Sequence, residues 1–392
     1  MANFFRRVTK RALSIISFLI IAIFLLACLT PYLNPSQWRF IGFFALAFPY
    51  LYLSVLILFF IWLAVRPRLC WIPLLALIIG YQNISSFLAI NWNFSFTEQK
   101  ADHHLRVMTW NVSSFIPINP TTYRRSDSHN MDEMATEIKK YNPDIICFQE
   151  FYSSTKPGPD DNVSFFRNEM GYPYCIFSTD NTDNDKPSNY VGTAIFSRLP
   201  FLDSGRLKFP ADLDVRRATE SLLWADLLMN GKDTIRVTTL HLKSFNFRNR
   251  DYKQLRLIGK QEDHGLEASK SIMRKMKEAF SLRAQQADYV QTLLDNSPHP
   301  QIVCGDFNDV PNSYTYFTMR KNRRDAFLEK GFGLGKTYTS NYSGLLRLLP
   351  TIRIDYILTD RLFKVNQYKN NQKVISDHFA QIADLELLPT SF

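Results

Sequence analysis

Eight polar side chains stand at the ends of apolar runs. Asn111 closes the run 106–111, Glu150 the run 144–150 and His241 the run 235–241. Asp306 and Asn308 follow 301–305, Asp355 lies within 353–358, and Asp377 and His378 precede 379–385. Carboxylates and amides are the hard oxygen donors that a small divalent cation takes. A histidine beside a carboxylate suits proton transfer near neutral pH. Each has a bland reading when taken alone: a strand-end Asn is usually a turn residue, an Asp-His pair a surface loop and an apolar-flanked His a core residue. Their common placement carries more weight, because strands leaving one core can bring their ends to one pocket.

The runs imply the elements that would hold them. Strands are expected at 106–111, 144–150, 191–197, 222–228, 234–241, 301–304, 353–359, 362–366 and 379–387, with Asn230-Gly231 turning the chain between two of them. A helix is expected at 131–141, acidic at its start (Asp132, Glu133), basic at its end (Lys139, Lys140) and stopped by Pro143. A short helix is read at 160–171 and a polar loop at 180–189. From 266 to 294, Ile272, Met276, Ala279, Phe280, Arg283, Ala287, Val290 and Leu294 recur at helical spacing. The preceding stretch, 244–265, reads as an inserted loop. Segment 243–283 holds eleven Lys/Arg against five Asp/Glu, which is either a solvated helix face or a surface for nucleic-acid phosphates or anionic headgroups. Strands and helices in one domain of this length fit two packed, mainly antiparallel sheets flanked by helices.

The first ninety residues are of another kind. They contain seven Lys/Arg and no acidic residue, so most of the formal net charge of +10 belongs to this end and is no nucleic-acid signature. Apolar segments at 12–32, 41–65 and 70–89 are read as three transmembrane helices, the third with a surface-lying amphipathic helix as its alternative. Residues 91–104 read as a polar linker and 105–392 as the catalytic domain. Arg6, Arg7, Lys10 and Arg11 precede the first span, and Arg66 and Arg68 separate the second from the third. Positive-inside logic places those charges in the cytoplasm. Three spans then give a multi-pass protein of the cell (inner) membrane with a periplasmic, extracytoplasmic catalytic domain. The five cysteines show no zinc-type spacing, and Cys147 and Cys304 are expected as buried free thiols.

The motifs Thr109-Trp-Asn111, Asp144-Ile-Ile-Cys-Phe-Gln-Glu150, Thr239-Leu-His241, Gly305-Asp-Phe-Asn-Asp309, Arg353-Ile-Asp-Tyr-Ile357 and Asp377-His378 resemble, in this order, those of the endonuclease/exonuclease/phosphatase superfamily. That group includes exonuclease III-type and deoxyribonuclease I-type enzymes. The resemblance runs from Arg106 to Leu387. It implies a four-layer α/β sandwich with its site at one end of the sheets. It also implies a Mg²⁺-dependent phosphodiesterase, with Mn²⁺ as the alternative metal. It assigns Asn111, Glu150 and Asp377 to the metal site. Asp306 would activate water, and Asn308 and His241 would stabilise the phosphoryl group. His378 would be the general acid/base, oriented by Asp355. Arg283 is read either as a support for the site or as a solvated or salt-bridged helix residue.

The implied partners are a phosphoester substrate, either DNA or RNA or a lipid headgroup, and the bilayer itself; no protein partner can be inferred. Abasic-site enzymes carry Thr-Lys after the Gln-Glu pair, where this chain has Phe151-Tyr152, which argues against that repair role. The readings are therefore a membrane-anchored nuclease-type phosphodiesterase, a phospholipid or sphingolipid phosphodiesterase or phosphatase, and a non-catalytic tethered binding module.

Overall fold

The computed structural model describes residues 2–116, 131–182, 188–210, 221–245, 247, 251, 265–339 and 352–389. Two long apolar helices come first, α1 (Ala2–Ala27) and α2 (Ile41–Val65). They form a hairpin closed by Phe24 on Phe48, ring centroids 5.3 Å apart, and by a Trp62 indole N–H donated to Ser17. Their outer faces expose Ile15, Phe18, Leu19, Leu53, Ile57 and Phe60. Both are long and apolar enough to cross a membrane.

The third apolar segment is broken. A short 3₁₀ turn and α3 (Trp71–Ile79) meet α4 (Tyr81–Phe87) at a bend of 61°. The break falls at Gly80, where a Cβ would lie 2.5 Å from the Phe24 ring. Close packing on α1 therefore requires glycine at the bend.

The remainder is a sandwich of two mixed sheets. One sheet has the order β14 (Phe363–Asn371), β15 (Ala380–Leu387), β2 (Leu105–Asn111), β3 (Ile145–Ser154), β6 (Asn189–Ser197), β4 (Tyr174–Phe177), with β5 (Asn181–Thr182) also on β6. The other runs β11 (Arg324–Asp325), β13 (Asp355–Thr359), β10 (Gln301–Asp306), β9 (Asp233–His241), β8 (Leu222–Met229), β7 (Phe201–Leu207). A small pair, β1 (Ala89–Ile90) with β12 (Phe332–Gly333), ties the end of the N-terminal helices to the sandwich. The polar stretch after it is also held: Asn91 donates to the Leu328 and Gly331 carbonyls.

Side-chain alternation builds the layers. Val107, Ile145, Cys147, Val237, Ile302, Cys304 and Ile357 point between the sheets. Met108, Trp110, Ile146 and Phe148 point outward beneath α5 (Asp132–Tyr141) and α6 (Asn162–Asn168). Leu240, Val303, Tyr356 and Leu358 point outward on the other side, under α7 (Gly265–Asp295) and α8 (Tyr314–Arg320). A last short helix, α9 (Ala326–Lys330), stands between β11 and β12. Because both faces of the central strands are covered, they read as continuous apolar runs rather than alternating ones. Cys147 and Cys304 face each other as free thiols in this core.

The strands expected from the sequence are present, with bounds shifted by a few residues. β3 runs on past Glu150 to Ser154, and β14 runs on to Asn371. Beyond the two-residue strands β1, β5, β11 and β12, two strands were not expected from the sequence, β4 and β7. Both are half-exposed edges, and β7 carries Asp203, Ser204, Gly205 and Arg206, as edge strands do to discourage further pairing. Most of the inserted loop read at 244–265 lies outside the described residues.

Candidate active site

The site lies where strand ends from both sheets meet. In one sheet, Asp306 pairs in register with His241 on β9 and with Asp355 on β13, so the three occupy one rung. All three follow the alternation of core residues such as Val237, Cys304 and Ile357, which aims them between the sheets. Gly305 makes the rung close. Its φ is +139°, and a Cβ there would lie 2.0 Å from the Leu240 carbonyl oxygen. The opposite sheet contributes Asn111, whose amide donates to Asp306 Oδ2 (3.1 Å) and Glu150 Oε1 (3.3 Å).

Glu150 reaches this network through a backbone irregularity. Regular alternation would point it outward, with Ile146 and Phe148. Instead β3 carries one extra residue between Phe148 and Phe151 relative to β6, and Glu150 has φ +50°. Phe148 and Phe151, three apart, both stay in the outer cluster, while Gln149 and Glu150 share the bulge. Gln149 then donates across the sheets to Thr239 at 2.9 Å.

His378 completes the centre from the loop before β15. Its Nδ1 lies 3.0 and 3.1 Å from the two oxygens of Asp355, and its Nε2 lies 3.7 Å from Asp306 Oδ2. His241 Nε2 approaches the same oxygen at 3.6 Å. The loop is pinned by Trp110, which donates to the His378 carbonyl, and by Ser376, whose hydroxyl lies 2.8 Å from the Asn111 carbonyl. The Asp377 carboxylate is 3.3 Å from that same hydroxyl, which places it beside Asn111. Thr337 Oγ1 accepts from the Ile354 and Asp355 amides, and the Tyr338 ring meets His378 edge-on at 4.9 Å.

Electrostatics follow from burial. Desolvation and then the charge of Asp355 push the Asp306 carboxyl up, opposed by His378 and His241. Burial alone would hold His378 down, but Asp355, then Asp306, overcome it and push the imidazole up to about 10 in the metal-free protein. Asp306, Asp355 and His378 offer ligand atoms within 4.8 Å of one another. Together with Asn111, Glu150 and Asp377, they form the oxygen-rich donor set that a hard divalent cation takes.

The eight residues named from the sequence all lie at this end of the sandwich. Asn308 has φ +52°, and its amide side chain donates to the Leu242 carbonyl, fixing the turn after β10. Several supports were weak or absent in the sequence. Arg283 is fully buried rather than solvated: Nε donates to the Lys243 carbonyl and Nη1 sits 3.3 Å from Asp309. Its helical spacing among apolar positions on α7 was the available signal. Gln149, Ser376, Thr337 and Tyr338 become visible only once the sheets are packed. A groove of about 840 Å³, with Lys140, Lys330, Lys336, Lys369 and Lys373 in its lining, lies elsewhere and contains none of the eight.

Comparison with known proteins gives the family and the fold. Residues 108–378 match the Endonuclease/Exonuclease/phosphatase family. The chain belongs to that family and is a phosphoesterase-type hydrolase of the nuclease/phosphatase class. Its members are generally divalent-metal dependent. Residues 10–87 match a domain of unknown function (DUF8431). No curated protein sequence matches the chain. An endonuclease/exonuclease/phosphatase from Beutenbergia cavernae has a similar structure, with TM-score 0.52, 19% identity and coverage of 74% of this chain and 73% of that one. The catalytic domain of human Nocturnin gives a TM-score of 0.48 at 18% identity, covering 74% of this chain and 96% of its own. A 3′ phosphatase from Neisseria, solved with a product DNA hairpin, gives 0.45 at 16%, covering 71% and 98%.

Proposed function

We propose that this chain is a membrane-anchored, Mg²⁺-dependent phosphodiesterase whose catalytic domain lies outside the cytoplasm. The observation that carries the reading is the single rung His241–Asp306–Asp355, faced by Asn111 and His378. Water attacks phosphorus in line, the P–O bond to the leaving group breaks, and a proton ends on that leaving oxygen. Asp306 orients the attacking water and takes its proton. His378, held by Asp355 through Nδ1, presents Nε2 to the reacting group and moves the second proton. His241 and the Asn308 amide meet charge developing on the phosphoryl oxygens. Glu150, Asn111 and Asp377 are the residues that would hold the metal. A divalent ion bound there supplies Lewis-acid stabilisation of the phosphoryl oxygens. The tethered, non-catalytic alternative would not need this full set.

The anchoring side of the reading is supported by charge. Lys10, Arg11, Arg66 and Arg68 stand at one end of the α1–α2 hairpin, and the catalytic domain packs at the other, where Thr30 donates to the Asn312 carbonyl and Asn34 to Asp288. Phe151 and Tyr152 favour a role other than abasic-site repair. Phe151 is packed outward, and the Tyr152 hydroxyl is engaged with Asp160 and Asn189, so neither is available to a nucleic acid at the site.

The experiment is turnover of bis-p-nitrophenyl phosphate by the full chain in detergent, with Mg²⁺, after chelation, and after Mg²⁺ is restored. Activity that disappears with chelator, returns with metal and is missing in His378→Ala is the expected outcome. A folded protein with no turnover in Mg²⁺ or Mn²⁺ would refute the reading.

A further inference from the structure

The second membrane helix forms part of the packing behind the active site. Ala45 of α2 is 1% exposed because it is covered by Val310 and Ile354, with Leu46, Tyr338 and Ile352 around them. Ile354 directly precedes Asp355, and Val310 follows Asn308 by two residues. Tyr338 carries the cluster to His378 through the edge-on ring contact at 4.9 Å. One layer of side chains therefore separates a membrane helix from the His378–Asp355 pair. Polar contacts lock the same arrangement. Asn83 donates to Asn312 at 2.9 Å, and the buried Arg353, two residues before Asp355, donates to the Ser86 carbonyl at 2.7 Å.

This packing fixes a depth. The 25 residues of α2 extend about 37 Å at 1.5 Å each. The hydrocarbon core is about 30 Å thick, with a headgroup layer of about 5–8 Å on either side. With α2 centred in the bilayer, Ala45, about 6 Å along the axis from Ile41, lies about 2–3 Å inside the boundary between headgroups and hydrocarbon. Groups one or two side chains further from the bilayer centre than Ala45 are then level with the headgroup layer.

The exposed surface independently points to the same plane. Tyr32, Trp38, Phe40 and Tyr81 are exposed at this end of the helices. The segment directly after α4 forms a further exposed cluster with Phe332 of the catalytic domain: Ile90, Trp92 (82% exposed), Phe94 and Phe332, with the last two rings stacked at 5.1 Å. Aromatic side chains concentrate at membrane–water interfaces, and an apolar patch of this kind marks a surface that water does not cover. The groove beside Phe94 and Phe332 adds Lys330 and Lys369, which suit anionic headgroups, while Lys140 and Lys373 in its lining are paired with Glu98 and with Glu133 and Glu137.

We propose that the substrate is a membrane lipid: the phosphoester of a headgroup in the leaflet where the site lies, taken laterally into the site rather than captured from solution. This rests on the phosphodiesterase reading above and adds the substrate class to it. The test uses the full chain in nanodiscs of phosphatidylethanolamine, phosphatidylglycerol and sphingomyelin with Mg²⁺. Lipid composition and released phosphate-bearing headgroups are followed by mass spectrometry, with bis-p-nitrophenyl phosphate and linear DNA as parallel substrates. The expected result is loss of at least one lipid with release of its headgroup phosphate, faster than any cleavage of DNA and abolished in His378→Ala discs. Turnover of the soluble diester with every lipid intact would overturn the lipid assignment and leave the phosphodiesterase reading standing. DNA cleaved faster than every lipid would do the same in favour of a nuclease. Failure of the soluble diester as well would remove the phosphodiesterase reading and the lipid assignment with it.

Discussion

His378 is held in place by two carboxylates, and this has consequences that can be measured. As the proposed acid/base it should account for about 100- to 10,000-fold of the rate, so His378→Ala should lose that much kcat with far-ultraviolet circular dichroism unchanged. Its titration also bears on stability. The imidazole moves from 6.5 free to about 10 in the folded, metal-free protein. A group whose pKa rises on folding binds its proton more tightly in the native state. Its stabilisation is therefore complete below pH 6.5 and disappears as the pH rises through about 10. In chelator, the melting temperature of the wild type should fall across that window, and His378→Asn should flatten the fall. A wild-type curve as flat as that of the variant would contradict the pairing with Asp355.

Among the elements, strands set the site and one long helix braces it. Gly305 can be tested directly. With φ at +139° and the Leu240 carbonyl where a Cβ would sit, Gly305→Ala must strain the backbone by about 1–3 kcal/mol or part β9 from β10. Its melting temperature should drop and its activity fall together. Arg283 on α7 is the second case, since it pairs with the buried Asp309 just beyond Asn308. Arg283→Met removes the cationic partner of that buried carboxylate and should cost about 3–5 kcal/mol in chemical denaturation. Arg283→Lys should recover only part, because lysine cannot also span to the Lys243 carbonyl while stacked on Phe245. These two residues also show where sequence reasoning reached and where it stopped. The rung was legible because His241, Asp306 and Asp355 each end or begin an apolar run, and period-two alternation carries them inward. Glu150 was identified through its flanking motif, yet its orientation depends on a bulge against β6 that no local pattern announces. Arg283 was visible as a basic residue among apolar ones, but only packing turns helical spacing into burial. Of the edge strands, β4 is a run of only four residues just after Pro173, too short to stand out, and β7 carries Asp203, Ser204, Gly205 and Arg206 at its middle where it meets solvent.

For the molecule as a whole, the fold reduces the side of the membrane that the catalytic domain occupies to a two-way test. The basic residues 10, 11, 66 and 68 lie at one end of the α1–α2 hairpin. The contacts Thr30–Asn312, Asn34–Asp288 and Phe43–Phe280, at 5.4 Å, hold the catalytic domain at the other. The two ends are separated by the length of α2, so they cannot share a compartment if the hairpin spans. Lys and Arg near short spans tend to stay in the cytoplasm, and the proposed orientation accordingly has the catalytic domain outside it. Lys232, in the exposed turn between β8 and β9, and Arg68, exposed in the turn after α2, report on the two ends. Four of the native cysteines are buried, and Cys175 is the only one more open, so the unmodified chain serves as the background. In intact cells, a membrane-impermeant maleimide should label Lys232→Cys above that background and leave Arg68→Cys unlabelled until the membrane is permeabilised. The reverse pattern would place the enzyme in the cytoplasm and show that the docking contacts, rather than the charge bias, set the orientation. Labelling of both without permeabilisation would mean that the hairpin does not span, and the depth assigned to Ala45 and the headgroup layer beside it would fall as well.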